Sequence, residues 1–97
     1  SILQSALLEG RIGDAFDARV SGLTDRSVFV TLDAPYVDGM LEMASLGSGF
    51  ELAADGLSIA ARRSGRSIAI GDALRVRVEA VDVFRGQVRF VPADSGR

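Results

Sequence analysis

The sequence predicts an all-β domain, a small five-stranded barrel with Greek-key connections, and three observations carry that prediction. Several segments alternate apolar and polar residues with a period of two, as half-buried strands do, most clearly 15–20, 27–32, 74–81 and 87–90. Turn residues separate them at short intervals: Ser21-Gly22, Asp33-Ala34-Pro35, Gly71-Asp72 and Arg85-Gly86. With 97 residues, 47% hydrophobic and 25% charged, the chain suits one globular domain with a modest core and is too small for two.

The elements follow in order. Ile2, Leu3, Ala6 and Leu7 fall at helical spacing and Gly10 is a natural stop. A helix this short is marginal alone, so residues 1–10 are expected to be a helical lead-in from a preceding domain or a cap on one barrel end. From Ala15 the period becomes two, with Phe16, Ala18 and Val20 on one face, and Ser21-Gly22 ends this first strand. Thr24-Asp25-Arg26 turns the chain into the second strand, SVFVTL, where Val28, Val30 and Leu32 share a face. Phe29 must then point away from them, either into the open or beneath a neighbouring loop. A third strand is expected over Gly39–Met43, with Leu41 and Met43 inward and Glu42 outward.

Residues 44–70 are the least regular part. Turn signals at Gly47, Gly49, Asp55-Gly56 and Ser64-Gly65 separate short apolar pieces at 50–52 and 57–61, and a small extra hairpin is expected here. Gly71-Asp72 opens the fourth strand, where Leu74, Val76, Val78 and Ala80 alternate strictly with Arg75, Arg77, Glu79 and Val81. Val88 and Phe90 mark the fifth strand, Pro92 ends it, and 93–97 is a polar tail. Five strands with a long connection between the third and fourth fit an OB-type Greek-key barrel over residues 11–92.

Charge and residue types narrow the chemistry. There is no cysteine and no histidine, which removes disulfides, thiolate and imidazole catalysis and the usual zinc ligands. Asp72 and Asp82 lie at opposite ends of one strand, about 30 Å apart at ~3.3 Å per residue, so they cannot share a metal or a scissile bond. No catalytic or metal site is expected, and no apolar run is long enough to span a membrane. The formal net charge is −2, unlike a typical nucleic-acid binder, yet its distribution is uneven. Residues 1–61 balance to −6, whereas 62–77 hold Arg62, Arg63, Arg66, Arg75 and Arg77 against Asp72 alone. Every basic residue is arginine, which grips phosphate through a bidentate fork and stacks on bases.

The order of these pieces resembles the S1-type RNA-binding domain. Its recurrent features match Val20-Ser21-Gly22, Val28-Phe29-Val30, Gly39-Met40-Leu41-Glu42-Met43, Ser45-Leu46, Gly71-Asp72 and Val81-Asp82. The segment FELAADGLSIAARRSGRSIAIGD is similar to the C-terminal S1 domain of the ribonuclease II / ribonuclease R exoribonucleases, matching at Phe50, Asp55-Gly56, Leu57, Arg63, Ser64-Gly65-Arg66 and Gly71-Asp72. There are departures. Arg26 and Ser27 stand where the family usually has an aromatic and a glycine, Glu42 where it often has a histidine, and Gln87 where it has a basic residue.

The resemblance implies an accessory domain that holds single-stranded RNA for a catalytic domain of the same polypeptide, a cytoplasmic 3′-to-5′ exoribonuclease. This chain would contain no cofactor; magnesium would belong to the parent's catalytic domain. Phe29 would stack on a base, with Tyr36 a second ring and Asp82 part of the same face. Arg26, Arg62, Arg63, Arg66, Arg85 and Arg89 would contact phosphate. The departures imply weak affinity in isolation, and the alternative is a protein-interaction or structural barrel whose RNA face has degenerated.

Overall fold

A computed structural model describes residues 1–93. Alternating apolar residues build its closed barrel from β1 (Ala15–Leu23), β2 (Ser27–Leu32), β3 (Asp38–Glu42), β7 (Ala73–Asp82) and β8 (Gln87–Pro92). Around the barrel the strands run β1-β2-β3-β8-β7, and β7 pairs back onto β1. Neighbours are antiparallel except β3 and β8, whose parallel contact closes the ring at Met40–Arg89 and Leu41–Phe90. This is the predicted OB-type barrel.

The core is the set that the period of two places inward. Ala18, Val20, Val28, Val30, Leu41, Val76, Val78, Val88 and Phe90 are all buried. Closure at β3 and β8 is tight because Gly39 has no side chain: a Cβ there would lie 2.8 Å from the Val88 carbonyl oxygen and inside the Phe90 ring.

Two bulges break the alternation. Strict alternation predicts Ala80 inward and Val81 outward. Instead Val78 pairs with Phe90 and Ala80 with Arg89, which leaves Glu79 as an extra residue and reverses the parity beyond it. Val81 now packs on the core opposite Val88, and Ala80 faces out. The same occurs in β1, where Val20 pairs with Val30 and Gly22 with Phe29, leaving Ser21 extra. The strand therefore runs to Leu23 rather than ending at Ser21-Gly22, and Leu23 turns back onto the core.

The middle segment holds more structure than a hairpin. After a 3₁₀ turn over Met43–Leu46, the strands β4 (Phe50–Leu52), β5 (Ser58–Ala61) and β6 (Ser67–Ala69) form a separate three-stranded antiparallel sheet. Ser67–Ala69 has one strongly apolar residue, Ile68, so it shows no period in the sequence. Ile59, Ala61 and Ile68 are buried and hold this sheet against the barrel. Met43 and Leu46 are buried beneath the 3₁₀ turn, so Met43 reaches the core from just beyond β3.

The helix α1 covers only Ile2–Ala6, with Ser1 and Gln4 forming a capping box. Its predicted apolar face is wrong: Ile2, Leu3 and Leu7 are exposed, while Ser5 and Leu8 are buried. The helix is too short to define a face, and Leu8 enters the core from the turn that follows it. Buried Ser5 satisfies its hydroxyl by donating to the Ile2 carbonyl at 2.9 Å. The start of α1 rests on the β7–β8 turn at Gly86 (φ +65), where a Cβ would lie 2.8 Å from the Ile2 nitrogen. Of the polar tail, 94–97 lie outside the described residues. Ala93 still donates its N–H to the Arg75 carbonyl at 2.9 Å.

Candidate nucleic-acid interface

One row of residues crosses the outer face of the barrel. Register places Gly22 of β1 beside Phe29 of β2, Phe29 beside Met40 of β3, Met40 beside Arg89 of β8, and Arg89 beside Ala80 of β7. Each of the five strands supplies one member, and the two bulges bring in Gly22 and Ala80. Both are small. A Cβ on Gly22 would stand 3.7 Å from the Phe29 ring, so that side of the ring meets only backbone. Phe29 is 42% exposed, which excludes burial under a loop.

An open groove of about 660 Å³ runs along this row and down to the β7–β8 turn, lined by Phe29, Met40, Ala80, Asp82, Arg85 and Arg89 among others. Its two arginines are paired within the chain, while Asp38, also in the lining, accepts the Thr31 hydroxyl at 2.7 Å. Asp82 accepts the Arg85 backbone N–H at 3.1 Å and lies 3.7 Å from its guanidinium. Arg89 donates Nε–H to Glu79 Oε1 at 2.8 Å, so the bulge residue serves as its partner. Both pairs are largely exposed, where an ion pair contributes only about 0–1 kcal/mol. The groove thus offers one bare aromatic face and two arginines whose carboxylate partners are easily exchanged for phosphate oxygens.

The other predicted site residues lie elsewhere. Tyr36 is 67% exposed in the β2–β3 connection and lines neither this groove nor the cleft described next. Arg26, at the end of the β1–β2 turn, lines a second, smaller cleft of about 420 Å³ with Asp25, Glu42 and Phe50. Arg66 donates to the Leu46 carbonyl at 3.2 Å and sets its guanidinium 5.6 Å from the Phe50 ring centre, tying β6 to the 3₁₀ turn. Arg62 and Arg63 are exposed in the β5–β6 turn. The structure therefore brings together Phe29, Asp82, Arg85 and Arg89, and separates them from the rest.

Two residues of this region were missed in the sequence. Met40 is one; its outward direction follows from the inward Leu41 beside it. The other is Phe84, 94% exposed in the β7–β8 turn, whose only signal is an aromatic in a turn that gives it nothing to pack against. Among the described residues, no three His, Cys, Asp or Glu side chains converge as metal ligands, and no helix is long and apolar enough to cross a membrane.

The family model for the S1 RNA binding domain matches residues 9–91. Ribonuclease R of Escherichia coli (strain K12) is 30% identical over 88 residues, covering 90% of this chain and 11% of that protein. The chain therefore spans about a tenth of the length of the curated relatives it matches. Mycoplasma genitalium RNase R in its apo form superposes with a TM-score of 0.84 at 20% identity, covering 95% of this chain and 14% of that one. The same enzyme in complex with ribose methylated single-stranded RNA gives 0.83 at 21% identity, covering 94% and 14%.

Proposed function

Because this chain belongs to the S1 RNA-binding domain family, we propose that it is the accessory RNA-binding domain of a ribonuclease R-like 3′-to-5′ exoribonuclease. Its outer groove would hold single-stranded RNA for a catalytic domain of the same polypeptide, with residues 1–10 as the lead-in from that domain. The observation that carries the reading is the cross-strand row, which leaves Phe29 bare in a groove with two arginines. A base lying flat on Phe29 gains about 1–3 kcal/mol from stacking, and it needs no sequence-specific contact. Arg85 and Arg89 would exchange Asp82 and Glu79 for phosphate oxygens. The RNA complex of Mycoplasma genitalium RNase R supports this reading, since a similar barrel there belongs to an RNA-bound enzyme. Hydrolysis, and any magnesium it requires, would belong to the catalytic domain, and the whole protein would act in the cytoplasm.

Titration of a short fluorescent single-stranded RNA at about 50 and about 200 mM salt tests the proposal. Binding that weakens with salt is expected. The rival reading, a barrel that contacts only protein, is favoured by the self-paired groove arginines and the acidic first 61 residues. It predicts no binding even at low salt and tens-of-micromolar domain.

A further inference from the structure

A second row of outward residues runs beside the first. Thr31 pairs with Asp38 across β2 and β3, and Asp82 pairs with Gln87 across β7 and β8. The β3–β8 register sets Met40 against Arg89, and continued by two residues it sets Asp38 against Gln87. Each of these four residues lies two positions along its strand from a member of the first row, so the rows are about 7 Å apart. The first row presents a ring, a thioether and one guanidinium, whereas the second presents only hydrogen-bonding groups. Asp38, Gln87 and Asp82 all line the groove. Asp82 is occupied by Arg85, but Asp38 is placed differently. Its Oδ1 accepts the Thr31 hydroxyl at 2.7 Å, which fixes the carboxylate, and it forms no ion pair among the described residues. One carboxylate oxygen is thus left for a ligand, with the exposed Gln87 carboxamide on the neighbouring strand.

The first row fixes the order in which a nucleotide lies across it. With the base on Phe29 and the phosphate at Arg89, two strands or about 10 Å away, the sugar falls over Met40. Met40 is flanked on β3 by Asp38 on one side and Glu42 on the other, and of these two only Asp38 lines the groove. A carboxylate repels phosphate, so Asp38 suits the sugar and not the backbone charge. A ribose 2′-hydroxyl both donates and accepts a hydrogen bond. It therefore matches an acceptor carboxylate standing beside a carboxamide that can donate. Deoxyribose offers neither interaction.

We infer that Asp38, with Gln87 beside it, reads the ribose 2′-hydroxyl of the nucleotide stacked on Phe29 and makes the groove select RNA over DNA. The inference rests on the RNA-binding reading above and adds a source of sugar specificity to it. Its test uses short fluorescent oligouridylates of one length that carry ribose, deoxyribose or 2′-fluororibose. Uracil throughout keeps the base constant, and fluorine preserves a ribose-like pucker while removing the donor. The proteins are the unmodified chain, Asp38→Ala and Glu42→Ala. Both aspartate and glutamate are exposed strand residues outside the core, so their replacement leaves the fold intact. Removing a carboxylate strengthens binding to any polyanion, and the ratio of affinities between sugars cancels that effect.

The unmodified chain should bind the ribose probe about tenfold more tightly than either of the others, the worth of one hydrogen bond to a charged group. In Asp38→Ala that preference should shrink to about twofold or less, with the deoxyribose probe bound at least as tightly as before. Glu42→Ala should keep the full preference. If the unmodified chain binds all the probes equally, or if Asp38→Ala keeps the preference, or if Glu42→Ala loses it, the sugar reading is overturned while stacking on Phe29 stands. If the unmodified chain binds none of the probes, the RNA-binding reading fails and the sugar reading falls with it.

Discussion

The barrel groove and the cleft beside the three-stranded sheet are each lined by one phenylalanine and by charges of both signs, in opposite arrangements. In the groove the ring of Phe29 is bare, while Arg85 and Arg89 are each paired with a carboxylate of β7. In the cleft Arg66 sits over the ring of Phe50, and the lining charges, Arg26 against Asp25 and Glu42, form no ion pair among the described residues. The free aromatic face thereby belongs to the groove alone. In a chain of net charge −2, the bare ring lies where the lining charges balance, Arg85 and Arg89 against Asp38 and Asp82, and not in the cleft, where acids outnumber Arg26.

The division can be broken at its foundation first. Phe90 fills the barrel where β3 meets β8, and Phe90→Ala should cost about 3–5 kcal/mol in urea unfolding and abolish RNA binding. Gly39→Ala drives a Cβ into the Phe90 ring and should cost about 1–3 kcal/mol or more, read in the same experiment. Neither effect distinguishes groove from cleft. Phe29→Ala does: stability should change little, since the ring lies outside the core, and affinity for a short RNA should fall by about 1–3 kcal/mol. The smallest expected effect sharpens the contrast most. Glu79→Gln removes the carboxylate that occupies Arg89, makes the groove resemble the cleft, and should strengthen short-RNA binding by less than about 1 kcal/mol with a steeper salt dependence. Fluorescence anisotropy measures both.

Much of this was legible in the sequence, and the rest was not for identifiable reasons. The inward faces of β1, β2 and β8 follow from alternation, and so does the outward Phe29. The bulges at Ser21 and Glu79 do not, because each inserts a polar residue where a polar residue already belongs. The reversal of Ala80 and Val81 is invisible until β7 is paired with β8. That same pairing joins Glu79 to Arg89, so the groove's neutralised charge was equally hidden. Ser67–Ala69 is too short to show a period, and the face of α1 failed because a five-residue helix hardly has one. The basic run through 62–77 was visible as composition. Its division was not: Arg75 pairs with Asp17 of β1 and Arg77 donates to the Gly13 carbonyl just before β1, while Arg66 sits over the Phe50 ring and Arg62 and Arg63 are exposed in the β5–β6 turn.

The central claim is that RNA bases lie along the row centred on Phe29. Backbone amide chemical-shift mapping of this small domain during titration with a short oligouridylate tests it most directly. The largest perturbations should fall on Phe29, Met40, Ala80 and Arg89, with Tyr36 and the far end of the three-stranded sheet unmoved. Saturable binding that perturbs Tyr36 or that sheet, and leaves the Phe29 row unchanged, would contradict it.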